Sequence, residues 1–193
     1  MVTGDWLVGD RRAAAAERIY AAAAELIARD GIDAFDIAAL EERVHCSRAT
    51  IYRHVGGKAK IRDAVLARNA ERIIEAVRSA VDGLSGPDRV LTAVIVALER
   101  IRADPLGQAL INSMRGAADL AWITESPLPT ALAVELSGYA EDDTQAGQWI
   151  VRVVLSLVYW PVTDPAEERE MLRRFLNPDS TAPRREAPPS QRV

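Results

Sequence analysis

The chain has 193 residues, 49% hydrophobic and 27% charged, a balance that supports one large or two small folded domains and excludes a wholly disordered protein. Its one cysteine, Cys46, excludes an intrachain disulfide and any cysteine-based zinc or iron–sulfur framework, so a reducing, cytoplasmic compartment is expected. No run of about 20 apolar residues is available to span a bilayer, the N-terminus with Asp5 and Asp10 does not read as a signal peptide, and the net charge of −4 hides a local excess of cations.

Proline and glycine divide the sequence into a run of helices, which predicts an all-α fold. Residues 1–10 read as an irregular arm. A first helix is expected from about Arg12 to Arg29, with Ile19, Ala23, Leu26 and Ile27 on one face and Gly31 as its stop. Asp36 is placed to cap a short second helix carrying Ile37 and Leu40, and Ser47 a third that runs to about Val55. Beyond the Gly56-Gly57 break, a long fourth helix from Lys58 to Val81 carries Ile61, Val65, Leu66, Ala70, Ile73 and Val77 at helical spacing, with Asn69 a polar position beside the stripe.

The second half continues in the same style. An amphipathic helix lies between Pro87 and Pro105, a shorter helix or pair covers Leu106 to Ile123, residues 124–129 read as a loop, and a further helix spans Thr130 to Tyr139. Gln145 to Trp160 is largely apolar, with Arg152 its only charge, and its length favours helix over the strand that the β-branched run Ile150–Val154 would suggest. A last helix from about Pro165 to Leu176 places Met171, Leu172, Phe175 and Leu176 on one stripe. The remaining segment, Asn177 to Val193, has four prolines in 17 residues and is expected to be disordered.

The stretch with the clearest chemistry is Gly31 to Ile61. Arg43, Arg48, Arg53, Lys58 and Lys60 fall there without an acidic residue between Arg43 and Lys60, and both histidines, His45 and His54, lie in the same window. Two short helices joined by a tight turn, the second capped by serine and bearing a basic, hydroxyl-rich face, form a helix-turn-helix pattern. A helix fits the major groove of DNA, where residues near its N-terminus reach base edges while flanking cations and hydroxyls hold phosphates. Arg48 is the candidate for a bidentate contact to guanine, Thr50 for a thymine methyl or a phosphate, and Tyr52 and His54 for the backbone. Lys58 stands at the start of the fourth helix, where unpaired N–H groups also attract a phosphate.

Ile19, Leu26-Ile27 and Gly31, then Ser47-Arg-Ala-Thr-Ile-Tyr-Arg-His-Val55, then Lys58 and Ile61, resemble the tetracycline-repressor (TetR/AcrR) family of bacterial regulators over residues 12–62. The resemblance implies a dimeric repressor, paired through its two C-terminal helices and released from a double-stranded DNA operator by a small molecule. Matched position by position, it places DNA contacts on Ser47, Arg48, Thr50, Tyr52, His54 and Lys58. It also implies a DNA-binding unit over residues 1–57 and a ligand-binding and dimerisation unit over 58–176, followed by the tail 177–193. Five residues depart from the family pattern: His45 at the turn glycine, Phe35 at a common threonine, Ala38 at a polar position, Glu41 at a small residue between the two helices, and Val55 at the usual phenylalanine.

The helix across Gln145 to Trp160 is too apolar to face water on one side, and a second subunit is its simplest cover. Candidate effector-binding residues are Leu98, Met114, Trp122, Tyr139 and Trp149, with Asn112, Arg115 and Asp119 as polar anchors for an amphipathic or aromatic molecule. The same residues also read as ordinary core, and Arg115 with Asp119 as a surface pair. No catalytic motif, cofactor or metal site is expected: Gly56-Gly57-Lys58 lacks the first glycine of a phosphate loop, Tyr52 standing in its place, and the adjacent His45 and Cys46 side chains diverge. The competing reading is a helical carrier or interaction module that no longer binds DNA.

Overall fold

The computed structural model describes residues 6–114 and 127–176, and among these it contains helices and no strand. The helices are α1 (Trp6–Asp30), α2 (Ile37–Val44), α3 (Arg48–Val55), α4 (Lys58–Ala80), α5 (Gly86–Ala103), α6 (Pro105–Ser113), α7 (Pro127–Ser137), α8 (Thr144–Tyr159) and α9 (Pro165–Leu176). None is long and apolar enough to cross a membrane.

Most boundaries agree with the helical periodicity, and the differences have local causes. The chain is already helical from Trp6, so residues 6–10 are not the irregular arm expected. The alanine-rich run that follows extends the helix backwards across Gly9 at a cost of about 1 kcal/mol. Helix α1 stops where predicted, because Gly31 takes a φ of +91° and returns its N–H to the Ile27 carbonyl at 2.9 Å. Helix α7 starts at Pro127 rather than Thr130: Pro127 and Pro129 both lie in the first turn, where a missing N–H costs nothing. Its far end is Ser137, not Tyr139. The predicted element from Leu106 to Ile123 is represented by α6, and its remainder falls outside the described residues, as do residues 124–126 of the predicted loop and the segment 177–193.

Two cores result. In the first, Ile19, Ala23, Leu26 and Ile27 of α1 meet Ile37 and Leu40 of α2, Ile51 and Val55 of α3, and Ile61 and Val65 of α4. Phe35 fills this core from the α1–α2 connection, and Leu106 and Ala109 of α6 complete it. The stripe on α4 runs through Asn69, which is buried, and leaves Ala70 exposed, so the polar residue occupies the inward face that the sequence had assigned to Ala70. Arg72 satisfies its side-chain oxygen at 2.9 Å. The second core joins Val90, Val94 and Leu98 of α5 to Ile150 and Leu157 of α8 and Leu172 and Leu176 of α9.

A tight corner connects the two. The Asp104 carboxylate caps α6 by accepting from the backbone N–H groups of Leu106 at 2.8 Å and Gly107 at 3.4 Å. A Cβ on Gly107 would lie 2.5 Å from the Ile101 carbonyl oxygen, so only glycine lets α6 fold back this closely on the end of α5.

The second core also contains a buried ion pair. Both oxygens of Glu168 (α9) accept from Arg102 (α5) at 2.8 Å, and Arg102 further donates to the Leu157 carbonyl of α8 at 2.7 Å. These hydrogen bonds hold the Glu168 carboxyl below the ordinary glutamate range against the opposing effect of burial. A depressed carboxyl stabilises the fold at pH values above its unfolded pKa, and that stabilisation disappears as pH falls through the folded value. Glu168→Gln should therefore cost about 2–3 kcal/mol in denaturant unfolding at pH 7. That is less than the about 3–5 kcal/mol of a fully buried pair, because 30% of the Arg102 side chain stays in solvent. The same variant should lose less of its remaining stability than the native chain below about pH 4.

Candidate nucleic-acid interface

Helix α2 ends at Val44, and the chain reverses direction through His45 and Cys46. His45 has φ 53° and ψ 41°, and among the described residues it is the one non-glycine with a positive φ. Imidazole is among the side chains that tolerate this left-handed conformation, so the turn forms without the glycine usual there. Cys46 is half-buried against the first core, as a small packing residue would be.

Ser47 follows in extended conformation and caps α3, its Oγ accepting from the Thr50 N–H at 3.4 Å and lying 3.0 Å from the Thr50 hydroxyl. Helix α3 buries Ile51 and Val55, which leaves Arg48, Ala49, Tyr52 and Arg53 on the outside. Val55 replaces a larger aromatic without leaving the core. The Tyr52 ring lies over the start of α4, close enough that a Cβ on Gly57 would be 3.4 Å from its edge. Lys58 reaches back to the Asp33 carbonyl at 3.4 Å, tying α4 to the α1–α2 connection. His54 is half-buried, with Nδ1 shielded and without a hydrogen-bond partner.

Glu41 explains its own departure from the family pattern. One carboxylate oxygen accepts from the Arg48 backbone N–H, an unpaired donor of the first turn of α3, and the other lies 3.5 Å from the Arg48 guanidinium. A carboxylate from α2 thus supplements the Ser47 cap and restrains the Arg48 side chain. Arg43 is likewise paired, with Glu25 of α1. The five cations of this window are partly balanced in space by acids that lie outside it or turn toward it, which charge counting along the chain does not reveal. Phe35 is fully buried and has no path to a phosphate.

Ser47, Arg48, Thr50 and Tyr52 thus lie on or beside α3 and Lys58 at the start of α4, with His54 half-buried. This surface offers a helix of two turns, guanidinium and hydroxyl donors, and an adjacent helix N-terminus, which suits a grooved polyanion.

The residues singled out for an effector do not converge. Leu98 is packed in the second core. Asn112 borders a polar groove between α6 and the α1–α2 connection, the Met114 carbonyl accepts from the Tyr159 hydroxyl at 3.0 Å, and Tyr139 and Trp149 face outward. Arg115, Asp119 and Trp122 lie outside the described residues. A cavity of about 230 Å³ opens instead between α4, α5, α7 and α8, and none of the described candidates lines it. Its walls come from residues that read as plain core stripes, such as Ile73 and Val77, and from small positions such as Ala93 and Ala97 that leave space between them. Among the described residues no group of three His, Cys, Asp or Glu side chains is placed to hold a metal ion.

The left-handed turn gives a direct check on this geometry. His45→Gly should raise stability by about 0.5–1 kcal/mol in thermal unfolding, whereas His45→Val, which resists positive φ, should lower it by about 1–2 kcal/mol.

Residues 19–65 match the family described as bacterial regulatory proteins, tetR family. Two curated relatives align over 184 residues at 28% identity, spanning 92% of this chain and 91% of their own length. They are the uncharacterized HTH-type transcriptional regulator MT1294 of Mycobacterium tuberculosis strain CDC 1551 / Oshkosh and the similarly named Rv1255c of strain ATCC 25618 / H37Rv. No solved structure shows a significant match. The capped α3 and the left-handed turn before it fall within the matched residues, and the match and the two relatives together support a transcriptional regulator of the TetR family.

Proposed function

We propose that the chain is a dimeric repressor that occupies a DNA operator through two copies of α3 and leaves it when a small molecule enters the cavity between α4, α5, α7 and α8. The observation that carries the DNA reading is the division of α3 into two faces: Ile51 and Val55 lock it to the first core, and Arg48 and Tyr52 stand outside. Arg48 reads a guanine, Thr50 a neighbouring base or phosphate, and Ser47, Tyr52, His54 and Lys58 hold the backbone. Contact with DNA exchanges Glu41 for a base edge at Arg48. Regulators of this family are generally non-enzymatic, and no catalytic role is proposed.

Pairing is supported by the outer faces of the last two helices. Trp149 and Phe175 on α8 and α9, and Trp160 just beyond α8, are 46%, 69% and 68% exposed in the single chain, large apolar surfaces that a second copy would cover. Two-fold symmetry then allows the two α3 helices to enter successive major grooves about 34 Å apart. Release follows from α4, which carries Lys58 beside α3 at one end and Val77 in the cavity wall near the other. A molecule that binds better to one tilt of α4 shifts the spacing of the reading heads, a coupling of about 1–3 kcal/mol. The proposed division is thus a DNA-binding unit over 1–57 and an effector and dimerisation unit over 58–176.

The test is selection of a duplex from a random pool by the full chain, followed by gel retardation. An Arg48→Ala/Tyr52→Ala pair should weaken binding by about 3 kcal/mol, roughly 100-fold, and native binding should fall steeply with salt. Equal retardation of native and variant protein would overturn the residue assignment.

A further inference from the structure

Resting on that effector reading, we infer that the cavity selects an uncharged, mainly aliphatic molecule bearing one hydrogen-bonding oxygen, and that Ser137 is the residue that recognises the oxygen. Val77 of α4, Val94 of α5, Leu136 of α7 and Val151 of α8 form its walls, and among the described residues lining it only Ser137 has a polar side chain. Ser137 is 2% exposed, and its Oγ, cut off from solvent, has no hydrogen-bond partner. Buried hydroxyls are ordinarily paired, so an orphan on the border of a cavity marks the place where a ligand atom completes the set.

The same walls exclude an ion. Among the described residues no charged side chain lines the cavity, and the two guanidinium groups that bond to α7 are already engaged. Arg89 donates to the carbonyls of Leu136 at 3.0 Å, Glu135 at 3.2 Å, and Val81 and Leu84 at 3.3 Å. Arg78 donates to the Glu135 carboxylate at 2.9 Å. A carboxylate entering the cavity would give up its hydration with no counter-charge to replace it. A ketone, ester or alcohol loses far less, because the serine hydroxyl both donates and accepts. Scaling from the apolar cavity of about 150 Å³ that holds benzene, 230 Å³ suits a molecule of about eight to ten non-hydrogen atoms.

The experiment uses the full chain without DNA and four probes, 1-octanol, 2-octanone, octane and octanoate at pH 7, followed by titration calorimetry and by the shift in melting temperature. Octanol and octanone should bind saturably, with octanoate at least tenfold weaker. Ser137→Ala should weaken octanol and octanone about five- to tenfold, leave octane unchanged and leave the unliganded protein no less stable. Ala97→Leu, which fills the cavity from α5, should abolish binding of all neutral probes, and should this variant fail to fold, the probe series and Ser137→Ala decide the matter. Octanoate binding as well as octanol, or octanol affinity indifferent to Ser137→Ala, would overturn the inference. Adding octanol to the retardation assay separates the two readings. Saturable binding with the operator still occupied would uphold the ligand chemistry and overturn release, whereas failure of every neutral probe to bind would overturn the ligand class alone.

Discussion

One helix joins the first core to a smaller apolar cluster at its far end, and the molecule is organised by that constraint. Helix α4 gives Ile61 and Val65 to the packing that holds the helix-turn-helix and Val77 to the cluster formed with Val81 and Ala93. Its 23 residues span about 34 Å without a proline or glycine to bend them. A displacement at one end is therefore felt at the other. Near the middle of α4, Arg68 lies over the Tyr20 ring at 3.9 Å and pairs with Glu17 at 2.6 Å, which ties α1 to the same rod.

Helix α6 provides a second mechanical link. Although it follows α5 in the chain, its Leu106 and Ala109 are buried with the residues of α1, α2 and α3. The corner that sends it there is stiff, being built from the Asp104 cap, Pro105 in the first turn and the close approach at Gly107. Asp104 also lies 3.8 Å from Arg72, itself bonded to the buried Asn69, so the corner is tied back to α4. The corner thus adds a polar tie between the start of α6 and α4 to the direct packing of α4 on α5.

Electrostatics at the proposed interface are more balanced than a basic patch suggests. Arg43 and Arg48 are each shared with a carboxylate, Glu25 and Glu41. Exposed pairs of this kind add little to stability. In the proposed complex their effect would lie in recognition: a guanidinium already oriented by Glu41 would lose less freedom on meeting a base, and it would give up a partner that a wrong sequence does not replace.

What was legible in the linear sequence is what depends on neighbours within about four residues. The helical spacing of Ile61, Val65 and Val77, the serine cap at Ser47 and the stop at Gly31 each rest on backbone geometry that repeats or terminates locally, so the helix-turn-helix could be read almost residue by residue. The cavity could not, because its volume is what remains between four helices. Whether Val77 or Ala97 fills or walls a space depends on side chains drawn from more than 50 residues away. The same holds for Arg102 and Glu168, 66 positions apart, and for Asn69 turning inward in place of Ala70. Local periodicity determined the helices and their recognition motif. Only tertiary packing decided which polar groups are paired, which are left without a partner, and where the interior stays open, since burial and charge balance are properties of assembled surfaces.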